Sequence, residues 1–490
     1  LLIRENIASA TINTPEQEQE ISEAMTPDQA AKAIFKRALK EARELDTLKP
    51  SHEIMLSLFG EYHALLHAET WQAIYAAITQ KRASEAEKTT KAIKLTDKTI
   101  ERHREKKLSF DAGLDAVLSD DPHGVILIRA PMGSGKTQRV GKPFAAYCKK
   151  KGLRFLALCH RQSLVKELAT VLQTPHYQRL EEGEISTIES LASCLPSIVK
   201  VSHQQFYSGV EAVFIDEIQQ VLRMMAGDKV KVPDGKKMSD VFTALQTIIA
   251  NAKIVIGADA GLDDFTVRFI EQCRPKEKFT IYTMGNSPEP LGVQIGHCKD
   301  YKGEPWAGAI QDAIREIANG GRVWIGTETN DKARLIHGIL SDSFPDKHIL
   351  CLHGHNKGDK APKAFFNDPT GQSLLYDAVI HTNVISSGVS VIHDKPHFTK
   401  GYFFGNGSSI TPADALQMLR RVRYLKQWIV MITDSQNNKD KINHKEGYLQ
   451  GWQGAAALTG KAGQIVSFDD YKASVMASEA NAKADFFFFF

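Results

Sequence analysis

A chain of 490 residues, 42% hydrophobic and 24% charged, is too long for a single core and has the composition of a globular protein of about two to four domains. Its formal charge of +3 is nearly neutral, which excludes a uniformly basic nucleic-acid binder and requires any such surface to come from local clustering. The six cysteines (148, 159, 194, 273, 298 and 351) contain no C-x-x-C pair, a pattern that argues against a disulfide framework or a zinc ribbon and fits a reducing compartment. No apolar run reaches membrane-spanning length and no signal peptide is visible, so the expected location is cytoplasmic, away from membranes. The first residue is Leu1 rather than Met, as expected of a piece of something longer, and the terminal ADFFFFF run is assigned no function.

Residues 1–109 read as a mostly helical N-terminal region. TPDQAAKAIFKRALKEARELD (26–46) opens on a Thr-Pro-Asp start signal and sets Ala31, Ile34, Phe35, Leu39 and Ala42 on one stripe. A second long helical stretch is expected over 69–107; from Lys81 to Lys107 it carries ten Lys/Arg against five acids. Those charges read as a solvated helix face, or as a phosphate tracker if the lysines line one side. Trp71, Tyr75 and Phe110 read as packing groups rather than base-stacking platforms.

From residue 110 the pattern changes. GVILIRA (124–130), GLRFLALCH (152–160), EAVFIDE (211–217) and AKIVIGADA (252–260) are short, apolar throughout and separated by helical segments. Such alternation indicates a parallel sheet covered on both faces. After a Gly/Pro/Asn-containing segment near 284–306 it restarts with GRVWIGTET (321–329), KHILCLHGH (347–355), YDAVIHT (376–382), GYFFGNG (401–407) and QWIVMITD (427–434). The expected division is therefore a helical region 1–109, a first α/β lobe 110–285, a second 286–440 and an extension 441–490. His353 and His355 in LHGHNKG read as a polar loop, since no carboxylate or cysteine stands at metal spacing.

Three motifs carry chemistry. APMGSGKTQ (130–138) follows a strand and opens a helix; Gly133 and Gly135 let backbone N–H groups around Ser134 turn inward on phosphate oxygens. Lys136 would reach the β/γ-phosphates, Thr137 would ligate Mg²⁺, and Gln138 completes the nucleotide-binding loop. Asp216 ends an apolar strand where a carboxylate can hold Mg²⁺, and Glu217 beside it can deprotonate attacking water. QMLRRVR (417–423) gathers Arg420, Arg421 and Arg423, like charges that need either water or a shared anion. In a two-lobe P-loop protein that anion is ATP held by the other lobe.

A-x-x-G-x-G-K-T, D-E-x-x and Q-x-x-x-R-x-R, in this order across two α/β lobes, resemble the superfamily 2 helicases. More narrowly, LALCHRQSL, LASCLPSIVKV, DEIQQ, GADA, HTNVISSGVS and QMLRRVR resemble the helicases related to the herpesvirus origin-binding protein, which also occur in phage and plasmid replication proteins. The resemblance covers roughly residues 110–435 and implies two tandem RecA-like lobes. It also implies an ATP-dependent DNA helicase or translocase, with ATP and Mg²⁺, acting on single-stranded or forked DNA in replication of a mobile element. For a phage- or plasmid-borne protein the location would be the bacterial cytosol. Arg161, Ser163 and Ser197 would contact nucleic acid, as would Thr329, Thr382 and Asn383. Gly388, Ser390 and Gln417 would face the nucleotide, Asp259 would couple hydrolysis to movement, and Arg421 and Arg423 would be the arginine fingers. Two departures stand out: no upstream glutamine motif reads adenine, and the third motif is ADA rather than a Ser-Ala-Thr type. A double-strand translocase without unwinding and an ATPase switch or origin-recognition module remain alternatives. RNA stays open as a partner, as does a primase or polymerase segment.

Overall fold

The computed structural model describes residues 25–43, 51–78, 95–109, 114–118, 121–181, 183–227, 230–285, 292–298, 305–385, 389–407, 409–433, 448–450, 452 and 467–484. Two parallel sheets organise most of them. The first contains β1 (Arg104–Leu108), β2 (Gly124–Arg129), β3 (Phe155–Cys159), β4 (Ser190–Cys194), β5 (Ala212–Asp216), β6 (Ile254–Asp259) and β7 (Thr280–Met284). They lie in the order β1-β7-β2-β6-β5-β3-β4, and every pairing is parallel. The second sheet contains β8 (Gly292–Cys298), β9 (Val323–Thr327), β10 (Ile349–Leu352), β11 (Ala378–His381), β12 (Lys400–Gly405) and β13 (Gln427–Thr433). Its order is β10-β11-β9-β12-β13-β8, again parallel throughout. This is the tandem RecA-like α/β arrangement expected, with a helical region before it.

The continuous apolar runs have the physical consequence their composition implies. All residues of β3 and β6 are buried, because helices cover both faces of the sheet. In the second sheet successive residues of β9 serve different cores. Trp324 packs with Leu352, Phe403 and Trp428 on one face; Val323 and Ile325 pack with Ile336, Tyr402 and Phe404 on the other. Strand alternation thus divides one sheet between two hydrophobic layers.

The N-terminal helices Pro27–Arg43 and Ser51–Tyr62 pack through Ile34, Phe35 and Leu58. Helical residues 68–78 add Trp71 and Ile74 to the same cluster, so Trp71 is a packing group, whereas Tyr75 is exposed. These segments group with Ser467–Ala484 in one compact unit, while both sheets belong to another spanning Ala92–Asp434.

Several expectations change here. The stretch 69–107 is not one helix: after the short helix Asp97–Ile100, Arg104–Leu108 is the edge strand β1, paired with β7. The sheet-bearing unit accordingly begins well before the expected boundary at 109/110. Its lysines suit an edge, where charge discourages pairing with further strands. The segment 284–306 contains β8, an edge strand of the second sheet, and β4 and β7 were likewise not anticipated. The basic residues 81–94, Phe110, Gly388 and the terminal phenylalanines lie outside the described residues.

Candidate nucleotide and nucleic-acid site

Strand order places the motifs side by side. β2, β6, β5, β3 and β4 are consecutive neighbours, so their carboxyl ends present a line of loops: the P-loop, Asp259, Asp216–Glu217, His160–Arg161, and the turn holding Ser197. Register fixes the spacing, since Arg129 opposes Asp259 and Asp216 opposes Ala258. Crevices at the carboxyl ends of parallel strands are where open α/β sheets bind ligands.

At the P-loop, Gly133 and Gly135 have φ of 79° and 82°, the left-handed region that side chains disfavour. Lys136 donates to the carbonyls of Ala130 (2.9 Å) and Pro131 (3.0 Å), holding the loop in a turn. Residues Lys136–Gly141 form a π-turn that runs into the helix Lys142–Lys151. Ser134 Oγ is buried and forms no hydrogen bond with the described residues, a polar atom awaiting a partner inside the loop. Gln138 is exposed. The Thr137 hydroxyl donates to Asp216 Oδ2 at 3.0 Å, so two oxygen ligands of the kind a hard cation takes already meet beside the loop. Among the described residues no group of three or more His, Cys, Asp or Glu side chains is arranged to hold a metal. The pair fits Mg²⁺, which keeps waters and phosphate oxygens in its shell and needs few protein ligands.

The acidic centre is half-buried, with Glu217 Oε2 hidden from solvent, and its electrostatics follow. Burial raises the Asp216 carboxyl to about 6, opposed by Lys136 and by the Thr137 hydrogen bond. Burial and the neighbouring Asp216 charge raise Glu217 to about 7, opposed by Arg421 and Lys136. Burial lowers the Lys136 ammonium, while Asp259, Asp216 and Glu217 support its charge. Glu217 itself sits at φ 52°, ψ 53°, an uncommon conformation for a residue with a side chain and one that occurs where a site constrains the backbone.

Asp259 ties this centre together. It accepts from the backbone N–H of Gln219 (2.9 Å) and of Gly261 (2.8 Å). The Gln219 amide donates to Gly261 O and Asp263 Oδ2, both at 2.6 Å, and Arg223 lies 3.6 Å from Asp263. Gln219 was not foreseen as a site residue; its position two residues after Glu217 in DEIQQ was the available signal. In place of Ser-Ala-Thr hydroxyls, a carboxylate fastened to the Asp-Glu turn links β6 to β5.

The second sheet brings its arginines to this edge. Gln417 lies in the helix Pro412–Leu419, and its Oε1 accepts from Arg421 Nη2 at 3.5 Å. Arg421 is buried; burial lowers its guanidinium to about 10, and Glu217 is the leading charge that opposes the shift. An isolated bridge between Val391 and Val422 holds the segment, and Arg423 Nε donates to Ser390 Oγ at 3.0 Å. A Cβ added at Gly133 would stand 3.3 Å from Arg423 Nη1, so this guanidinium reaches the P-loop of the other sheet. Arg420 is exposed.

The remaining residues divide. Arg161 and Ser197 line one open cavity of about 690 Å³ in the first lobe, with His160, Gln162, Lys200 and Lys231 also on its wall. The two lysines were not anticipated and make the cavity basic; only its proximity to Ser197 could have flagged Lys200. The Ser163 side chain is outside the described residues, although its backbone lies in the first turn of the helix Gln162–Leu172. Thr329 caps the helix Asn330–Ser343, its hydroxyl accepting from Lys332 N at 3.3 Å. Thr382 is buried to 1% exposure, whereas the adjacent Asn383 is exposed. The structure thus sets Thr329 and Thr382 in supporting positions and leaves Asn383 accessible. His353 is engaged by Arg334 Nε and by the backbone N–H of His355, as a polar loop would be.

No family model matches the chain. It is 25% identical over 296 residues to an uncharacterised protein of Picosynechococcus sp., covering 58% of this chain and 29% of that one. It is 21% identical over 287 residues to the replication origin-binding protein of human herpesvirus 7 (strain JI), covering 57% of this chain and 33% of that one. The chain therefore spans only about a third of the length of these curated relatives. Among solved structures, S. cerevisiae Dbp5 bound to RNA and ADP-BeF3 aligns with TM-score 0.46 and 14% identity over 80% of this chain and 98% of that one. The DEAD-box helicase Mss116 bound to single-stranded RNA and UDP-BeF aligns at 0.46 and 12%, over 77% and 94%. The helicase MrfA bound to DNA aligns at 0.45 and 14%, over 64% and 44%.

Proposed function

We propose that this chain is an ATP-dependent nucleic-acid helicase or translocase of the superfamily 2 type, acting on DNA in replication of a phage, plasmid or similar element. The observation that carries the reading is convergence: Arg421 and Arg423, from the second sheet, meet Glu217 and the P-loop of the first. Such an arrangement makes hydrolysis depend on how the lobes are placed, which is how a motor couples chemistry to stepping. The DNA and replication assignments are supported by the similarity to the herpesvirus origin-binding protein.

In this reading the P-loop amides and Lys136 bind the β/γ-phosphates, with Ser134 and Gln138 on the same loop. Thr137 and Asp216 would hold Mg²⁺, which would offset the charge of the phosphates. Glu217 accepts the proton of the attacking water, while Arg421 and Arg423 stabilise charge on the transferred phosphoryl group. Gln417 and Ser390 orient the two arginines through the contacts described, and Gly388 is assigned to the nucleotide by the resemblance alone. Asp259 transmits rearrangement of the Asp-Glu turn to β6. Arg161, Ser163, Ser197 and Asn383 grip the nucleic-acid backbone without regard to sequence, and Thr329 and Thr382 shape the ends of the strands behind them.

The test is phosphate release with and without single-stranded DNA or RNA, followed by unwinding of a forked duplex. Lys136→Ala and Arg421→Ala are expected to abolish hydrolysis, and DNA to stimulate the parent. Stimulation without strand separation would replace unwinding by double-strand translocation. Hydrolysis indifferent to any nucleic acid would refute the motor reading.

A further inference from the structure

We propose that His160 is a positioning residue through which nucleic acid in the basic cavity sets the orientation of Glu217 and so stimulates hydrolysis; the inference rests on the motor reading above. His160 follows β3, the strand lying between β5, which ends in Asp216–Glu217, and β4, which leads to Ser197. The residue therefore stands at the sheet edge between the acidic centre and the cavity.

Both connections are physical. On one side, His160 Nδ1 lies 3.5 Å from Glu217 Oε2, an oxygen that is hidden from solvent and closes no hydrogen bond with the described residues. On the other, His160 lines the cavity together with Arg161 and Ser197. Its carbonyl accepts from Cys194 Sγ at 3.5 Å, fastening it to the end of β4 beside the Ser197 turn. Arg161, the next residue, is exposed in the cavity where a phosphate would meet it.

The 3.5 Å separation is what makes the arrangement responsive. It exceeds the roughly 2.7–3.2 Å of a formed N–H···O bond by only a few tenths of an ångström. A small displacement of the His160–Arg161 peptide, drawn by a phosphate at Arg161, is sufficient to close it. As the Nδ1–H tautomer, His160 would then donate to Glu217 Oε2 and turn the other carboxylate oxygen toward the attacking water. Glu217 is responsive in its own right, because its left-handed backbone is held by its surroundings rather than by its own preference. This route runs through β3 and is separate from the Asp259 linkage on β6.

The experiment measures phosphate release by the full chain with and without a single-stranded oligonucleotide, for the parent, His160→Ala and His160→Asn. The asparagine amide can occupy the place of Nδ1–H and serves as the conservative rescue. For His160→Ala the stimulation factor, the rate with oligonucleotide over the rate without, is expected to fall about tenfold, the scale of one hydrogen bond to a charged group. KM for ATP and the oligonucleotide Kd are each expected to stay within about threefold, a change too small to account for a lost interaction in either site. His160→Asn is expected to recover a substantial part of the stimulation. Undiminished stimulation in His160→Ala would overturn the proposal, as would a parallel loss of oligonucleotide affinity, which would make His160 an ordinary part of the cavity wall. A fold defect in the alanine variant leaves His160→Asn to decide: stimulation retained supports the coupling, and stimulation lost with binding intact refutes the hydrogen-bond route. A parent that no oligonucleotide stimulates would instead refute the motor reading itself.

Discussion

Replacing Glu217 by glutamine separates the electrostatic cost of the site from its chemistry. Burial and the Asp216 charge raise this carboxyl from 4.5 to about 7 in the folded chain. The difference of about 2.5 units, 7 less 4.5, corresponds to about 3 kcal/mol at about 1.36 kcal/mol per unit. The folded protein holds a proton that the unfolded chain releases from 4.5 upward. The protonated group's contribution to stability is therefore complete below 4.5 and is lost as pH rises through about 7. Glutamine has no charge to bury and keeps the shape. Glu217→Gln is thus expected to be more stable than its parent at alkaline pH, with the gap widening by about 2 kcal/mol between about pH 5.5 and about pH 8.5. Paired urea melts of the nucleotide-free chain at the two pH values read this directly. Hydrolysis should fall by about 10²–10⁴ in the same variant if the carboxylate is the general base. A stability offset that does not change with pH, or a variant less stable than its parent at alkaline pH, would refute the burial argument for this residue.

Three further outcomes follow from other parts of the molecule. Gly133→Ala places a side chain at φ 79° and 3.3 Å from Arg423 Nη1; with a left-handed penalty of about 1–2 kcal/mol, it should weaken binding of a non-hydrolysable nucleotide analogue, measured by titration. Lys200→Ala and Lys231→Ala should each weaken oligonucleotide binding at every sequence and lower the salt slope by about one unit, read from Kd across a salt series. Gly401→Ala would set its Cβ 2.5 Å from the buried Trp428 ring; the strain should cost about 1–3 kcal/mol in a urea melt while leaving nucleotide binding intact.

Much of the first lobe was readable locally. A P-loop is legible because its requirements are local: glycines where the backbone must turn left-handed, a lysine and a hydroxyl at set offsets, a strand before and a helix after. The Asp-Glu pair is legible because a buried apolar run rarely ends on two adjacent acids without a use for them. β1 escaped detection because REKKL has neither β-branched residues nor alternation, and only pairing with β7 makes it a strand. β8 was hidden for a different reason: Val293 and Ile295 are β-branched and alternate, but they stand in a segment whose glycines read as a linker. Thr329 and Thr382 were expected to be contact residues from their positions after strands, and only the structure shows that one caps a helix and the other is buried.

Residue order along the chain was enough to define two α/β lobes and to mark a glycine-rich turn, an acidic strand end and an arginine cluster, since each depends on neighbours within about ten residues, although Arg420, Arg421 and Arg423 follow the helix Pro412–Leu419 rather than lie on it. It could not say that β3 lies between β5 and β4, and so could not bring His160 to Glu217 or Lys200 and Lys231 to Arg161. Nor could it say how far Arg423 reaches toward Gly133, a contact between residues separated by most of two lobes. Strand order and lobe placement are set by how the hydrophobic faces pack, and parallel neighbours are joined by crossovers that leave no local trace of which strands will be adjacent.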